Sequence, residues 1–206
     1  MGTAGKVGAI FAPTLDINDE IDTGNTTDTF SGDGTTTAFT LNNEYVLLKS
    51  ETVTVAGTET DDYEINYITG IVTFDEAPAA GTDNITVEYD YLVEIEQVGG
   101  FFEWSFNEDA GLEEAAEFGD DHQTHVATIA EWSGSADKYF SIEDRFENWL
   151  GEEVVIAFYI DNTAGEKVRF EGWGKIGSKG TECPHDTLVE QSIDFEGQDF
   201  LVFRQG

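Results

Sequence analysis

Acidic and apolar residues alternate along this chain with a period of two: Val87-Glu88-Tyr89-Asp90-Tyr91 and Val93-Glu94-Ile95-Glu96 each set carboxylates on one side and apolar groups on the other. Side chains alternate across a strand, whereas a helix repeats every 3.6 residues, so such segments are confined to half-buried β-strands. The same pattern says where the charge goes. Forty-three Asp and Glu against nine Lys and Arg give 206 residues a formal charge of -34. Net charge of that size destabilises a compact state in dilute buffer through self-repulsion. At molar ionic strength the Debye length falls to roughly 3 Å, and surface carboxylates stop feeling one another beyond contact range. The acids therefore read as a solvated coat suited to a salt-rich, halophilic setting. Disorder, the other way to carry such charge, is excluded by composition: the chain is 39% hydrophobic, with fifteen Phe, seven Tyr and four Trp, which is ample for a core.

Several functional classes fall away on composition. A lone cysteine, Cys183, excludes an intramolecular disulfide. The stretch Met1 to Ala12 holds one Lys and an apolar run too short and Gly-broken for a secretory signal. No stretch approaches the roughly 20 apolar residues of a membrane span, so cytoplasmic synthesis and folding without a membrane partner are expected. Scarce Lys and Arg disfavour nucleic-acid binding through phosphates.

Residues 1–24 read as an extended arm. From 25 to 93 short runs of period two, such as Glu51-Thr52-Val53-Thr54-Val55 and Ile71-Val72-Thr73-Phe74, are separated by Ser31-Gly32-Asp33-Gly34, Ala56-Gly57, Thr69-Gly70 and Pro78 through Gly81. This predicts a small antiparallel β module. Gly99-Gly100 then opens a second region, 94–206. Phe102, Trp104 and Phe106 share one face of a strand; Asn107 to Thr124 reads as a long acidic loop; His125 to about Ser133 is a strand. Ser141 caps a helix over 141–150 whose docking face is Ile142, Phe146, Trp149 and Leu150, with Gly151 ending it. Val154 to Ile160 reads as a strand buried on both faces, and Val168 to Lys175 and Leu188 to Phe195 complete the sheet. The tail, Phe200 to Phe203 with Arg204, is too apolar for water and is expected to pair with a partner. The fold class is thus all-β with one α-helix.

The chemistry-bearing motifs are weak. Cys183-Pro184-His185 could join His122 and His125 in a metal site, but zinc needs about four N or S ligands, and an activated thiol needs basic surroundings that this chain lacks. Asp16-Ile17-Asn18-Asp19-Glu20-Ile21-Asp22 begins like a calcium loop, yet has Ile21 where the turn Gly belongs and Thr27 where the closing Glu belongs. Paired carboxylates are uninformative in so acidic a chain. No catalytic residue, metal or cofactor is assigned, and the chain is not read as an enzyme.

The order of segments from Phe101 onward resembles the tail tube, or major tail, proteins of tailed viruses. It is carried by Phe102-Glu103-Trp104-Ser105-Phe106, the acidic segment ending in Glu117-Phe118-Gly119-Asp120, the long strand before one helix, Glu171-Gly172-Trp173-Gly174-Lys175-Ile176, Thr187-Leu188-Val189-Glu190 and Ile193-Asp194-Phe195-Glu196-Gly197. Gly5-Lys6-Val7-Gly8 fits that family as well. Residues 31–91 are similar to a small β module of virion proteins, through Asp62-Tyr63-Glu64-Ile65-Asn66-Tyr67 and Ala77-Pro78-Ala79-Ala80-Gly81. The resemblance implies a tail-tube β-sandwich or β-barrel with an inserted β module. It implies a homo-oligomer of hexameric rings stacked into a tube, located in the virion tail and assembled in the host cytoplasm. Its partners would be other tail proteins, with a tape-measure protein and viral DNA in the lumen without specific binding. On that reading the acidic loop and both chain ends bridge subunits or rings, which nominates Phe11, Phe118, Asp120, Asp121, Phe200, Phe203 and Arg204. The alternative readings are a cell-surface or carbohydrate-binding β-sandwich, with Trp132 or Trp173 exposed to stack on sugars, and another tail component such as a tail terminator.

The halophilic reading is checked by circular dichroism at decreasing KCl, where loss of β structure or assembly is expected well before physiological ionic strength. Complete folding and assembly at about 0.1 M salt, where the Debye length is about 10 Å, overturns it.

Overall fold

A computed structural model describes residues 9–15, 20–115, 124–140, 149–161 and 167–205. Among these the protein is all-β, built from curled antiparallel sheets. The expected helix over 141–150 lies outside the described residues except for its last two positions. The chain divides into two compact units, Phe11–Gln97 and Val98–Gly206 together with Met1–Ile10.

β1 (Ala9–Pro13) and β9 (Ile95–Val98), each of which runs across the division, lie side by side; the strands that follow belong to the unit Phe11–Gln97. One sheet runs in the order β2 (Thr23–Gly32), β8 (Gly81–Leu92), β4 (Thr52–Val55), β5 (Thr58–Glu59). The other runs β3 (Ala38–Thr40), β7 (Ile71–Phe74), β6 (Tyr63–Asn66). The alternation in β8 behaves as read: Ile85, Val87 and Tyr89 are buried while Glu88 is exposed. They pack with Leu41, Val46, Val53, Val72 and Phe74. Ala56 (φ 51°) and Gly57 (φ 77°) both take the left-handed conformation that a two-residue turn between twisted strands requires.

Two carboxylates organise the interior of this unit. Asp28, almost wholly buried, accepts from the Asn42 amide (2.7 Å) and the Tyr89 hydroxyl (2.9 Å) on Oδ2, and from Asn42 Nδ2 (2.6 Å) on Oδ1. Glu51 Oε1 accepts from the hydroxyls of Tyr67 (2.8 Å) and Tyr63 (3.4 Å). Burial first, and then that neighbouring negative charge, push the Tyr63 hydroxyl up to about 12 and raise Tyr67 as well.

In the second unit the sheet order is β10 (Phe101–Ala115), β11 (Thr124–Tyr139), β14 (Glu190–Gly197), β13 (Val168–Glu182), β12 (Glu153–Asp161), all antiparallel. Three sequence expectations change. Residues 107–115, expected in a loop, continue β10 and pair with β11 as far as Ala115↔Thr124; the ladder gives the backbone partners, while the Glu108 and Asp109 side chains stay exposed. The strand expected to end near Ser133 runs to Tyr139, because Ser133-Gly134-Ser135-Ala136 keeps period two with small side chains. The tail, expected to pair with a partner, pairs within its own chain: β15 (Val202–Gln205) lies on β13 from Val168↔Gln205 to Glu171↔Val202.

The core of this unit forms around β12, where Val154 through Phe158 are all fully buried, as an apolar run buried on both faces demands. Phe158 lies within ring contact of Trp104 (5.3 Å), Phe106 (5.8 Å), Phe195 (6.1 Å) and, edge-on, Trp132 (6.3 Å). Trp132 lies flat across three glycines. A Cβ on Gly197, Gly172 or Gly174 would meet the indole at 2.5, 2.7 or 3.0 Å, and the indole N–H donates to the Asp199 carbonyl at 2.8 Å.

A methyl group at Gly197 must move an indole held on every side. Gly197→Ala is therefore expected to cost about 1 to 3 kcal/mol in urea unfolding, whereas Gly99→Ala, with nothing within 4 Å of the added Cβ, is expected to be near neutral. Equal effects would show that the glycine bed does not constrain Trp132.

Candidate functional site

The long strands separate two kinds of side chain. Facing the core are Trp104 and Phe106 of β10, Trp132 and Ala136 of β11, and Ile193 and Phe195 of β14. Facing away are Glu103, Ser105 and Asn107; Ser133, Ser135 and Asp137; and Ser192, Asp194 and Glu196. The register sets them side by side as Glu103↔Asp137, Ser105↔Ser135, Asn107↔Ser133, Ser135↔Asp194 and Ser133↔Glu196. The result is a three-strand surface of short hydroxyl, amide and carboxylate groups, with a shallow trough of about 330 Å³ lined by Ser105, Asn107, Ser133, Ser135, Asp194 and Glu196 among others. Ser105 and Ser135 share a hydrogen bond at 3.1 Å, and Ser178 of β13 donates to Asp194 at 2.5 Å. The first cation toward β13 is Lys175, which meets Glu153 at 3.4 Å. At one end the surface is bounded by Phe102 and Tyr139, whose rings stand 4.8 Å apart.

Adhesion to nucleic acid rests on Lys and Arg at phosphates and on aromatic faces under bases. No Lys or Arg lines the trough, and the two phenylalanines that do, Phe106 and Phe195, have their rings against Phe158 in the core. Sequence reading passed over Ser133, Ser135 and Ser192 because Ser and Gly clusters read as turns. The signal that identifies them is the i, i+2 spacing of Ser133-Ser135-Asp137 and of Ser192-Asp194-Glu196.

A second feature lies at the C-terminal strand. Glu171 of β13 is fully buried between two arginines: Arg169 Nε donates to its Oε1, and Arg204 Nη1 of β15 donates to its Oε2 at 3.1 Å. Arg169 also stands over the Tyr159 ring at 5.4 Å, and Phe203 packs on Phe170 at 5.1 Å. Burial raises the Tyr159 hydroxyl above its ordinary range. In a chain with three arginines, two converge here, so β15 is fastened by charge as well as by its ladder.

Of the residues nominated from sequence, Phe200 and Phe203 are exposed, at 69% and 54%, while Arg204 turns inward to Glu171. Phe11 lies half-buried in β1. Phe118, Asp120 and Asp121, like Ile142 and Phe146, lie outside the described residues. Trp149 is buried, whereas Leu150 is 57% exposed and bridges Ile176 through its backbone. The expectation that Trp132 and Trp173 are exposed for stacking on sugars is overturned: they are buried, at 4% and 2% exposure. Cys183 is exposed, and His185 Nδ1 contacts Asp186 at 2.7 Å on the surface.

Removing Glu171 leaves two guanidinium groups without their shared carboxylate. Glu171→Ala is expected to cost about 3 to 5 kcal/mol and to speed amide exchange in Val202–Gln205. Unchanged exchange there would mean that the ladder alone holds β15.

No protein-family model matches the chain, and neither does any curated protein. Among solved structures, it is similar to a chain in the virion of a native gene transfer agent particle, with 13% identity and a TM-score of 0.44 over 53% of this chain and 88% of that one. It is likewise similar to a chain in the tail of an empty particle of the same kind, refined with C6 symmetry, with 14% identity and a TM-score of 0.43 over 53% and 86%.

Proposed function

We propose that this protein is a structural, non-catalytic subunit of a virion tail, assembling into stacked hexameric rings whose tube conducts the viral genome. The observation that carries the reading is the small, polar face of β10, β11 and β14. A tube wall needs an inner surface that a moving polyanion does not stick to, and Ser105, Ser133, Ser135, Asp194 and Glu196 support that role: short, polar or like-charged, and without a cation among the residues lining the trough. The core behind it, centred on Phe158, supports that surface from within.

The edge of the sheet supports the same reading. β10 is fifteen residues long and pairs with β11 on one side; an edge of that length invites further strands unless it is covered. Ring closure joins such edges and removes them. The segment order that resembles tail tube proteins supports this assembly, and the charge of -34 favours a virus of a salt-loving host.

Electron microscopy of the purified protein in molar KCl tests the proposal. Tubes of uniform width are expected. Rings that never stack point to a tail terminator, and persistent monomers overturn the assembly altogether.

A further inference from the structure

The chain between β14 and β15 leaves the sheet for four residues, Gln198 to Leu201, and borders a half-open cavity of about 480 Å³. Its floor is the Trp132 indole, fixed by the glycine bed and by the bond to the Asp199 carbonyl. Phe200 and Leu201 form an apolar wall, and Glu108, Glu131 and Asp199 supply three carboxylates. Burial raises the Asp199 carboxyl above its ordinary range, so its charged form is under-solvated in the isolated chain. Phe200, the most exposed large apolar residue described, stands on this wall at 69% exposure. Apolar walls with carboxylates suit one kind of group: an alkyl stem ending in a cation, whose methylenes lie on the rings and whose head meets the acids.

The unit Phe11–Gln97 contains nineteen Asp and Glu and a single cation, Lys49. Lys49 is exposed and sits in a turn closed by Ser50, whose amide and hydroxyl donate to the Leu47 carbonyl at 3.2 and 2.9 Å. Its backbone is left-handed (φ 58°), a conformation that a long side chain rarely adopts. The turn thus holds this lysine in a costly conformation on an otherwise anionic surface.

We propose that Lys49 of one copy inserts into the cavity between β14 and β15 of a second copy, with its stem against Trp132 and Phe200 and its ammonium among Glu108, Glu131 and Asp199. The inference rests on the self-assembly proposed above and names one contact that drives it. Such a contact is heterologous, a knob on one copy and a hole on another, which is the kind that propagates into rings or filaments. In molar salt the long-range repulsion between copies is screened, while a pair sheltered in a cavity is screened much less, so the contact forms where the coat permits approach.

The test is zero-length carbodiimide cross-linking of full-length protein. Unlabelled and ¹⁵N-labelled chains are mixed while dissociated and then brought to molar KCl, and the same sample is imaged by electron microscopy. Mixed-isotope peptides joining Lys49 to Asp199, Glu108 or Glu131 are expected, and they disappear in Lys49→Arg, which keeps the charge and assembly but not the reactive amine. Lys49→Glu is expected to weaken self-association about tenfold, and Lys49→Glu combined with Asp199→Lys to restore part of the loss; circular dichroism checks that each variant is folded. Same-isotope peptides only, a different lysine in the cavity, or tubes without any cavity cross-link each overturn this contact while leaving the tail-tube reading intact. Absence of rings and tubes at every salt concentration overturns both.

Discussion

Much of the second unit depends on one indole lying on three glycines. Gly172 and Gly174 of β13 and Gly197 at the end of β14 carry no side chains where Trp132 passes over them, so an aromatic of that size lies parallel to the sheet instead of standing off it. The consequences spread in both directions. Inward, Trp132 meets Phe158 edge-on and closes the aromatic group around β12. Outward, its N–H fixes the Asp199 carbonyl, which holds the detour that ends β14 and lets the chain return to β13 as β15.

β13 is the member on which that arrangement converges. From Val168 to Lys175 it pairs with β12, from Gly174 to Glu182 with β14, and from Val168 to Glu171 with β15. Buried charge is found on the same strand: Glu171 lies between Arg169 and Arg204, and among the described residues the other buried carboxylate is Asp28. Asp28 in the first unit is the comparable case with neutral donors, fully hydrogen-bonded by Asn42 and Tyr89. Buried carboxylates are tolerated where every oxygen has a donor.

What was legible beforehand follows from how strongly a segment's pattern outweighs its composition. Val154 to Ile160 and Ile85 to Tyr89 were readable because bulky apolar residues mark the buried face directly. Ser133 to Tyr139 was not, because Ser and Gly suit turns as readily as strands, and only pairing to β10 and β14 decides between them. The acidic residues 107–115 read as loop for a similar reason: charge reports solvent exposure, and one face of a β-strand is as exposed as a loop. The tail was read as too apolar for water and in need of a partner; its strand pairs within its own chain while Phe200 and Phe203 stay exposed, a long-range pairing that local pattern does not encode. The small polar face was invisible as a site because no single residue in it is distinctive; it exists only as a register of three strands.

The attachment of β15 has a mechanical meaning. Its ladder to β13 is antiparallel, with hydrogen bonds lying across the strand direction. Tension applied along the C-terminal segment therefore loads Val202 through Gln205 in shear, all rungs together with the Arg204–Glu171 ion pair, instead of peeling them one at a time. A strand fastened in this way resists pull along the chain far better than four residues suggest, and transfers that pull directly into β13, which pairs with β12, β14 and β15.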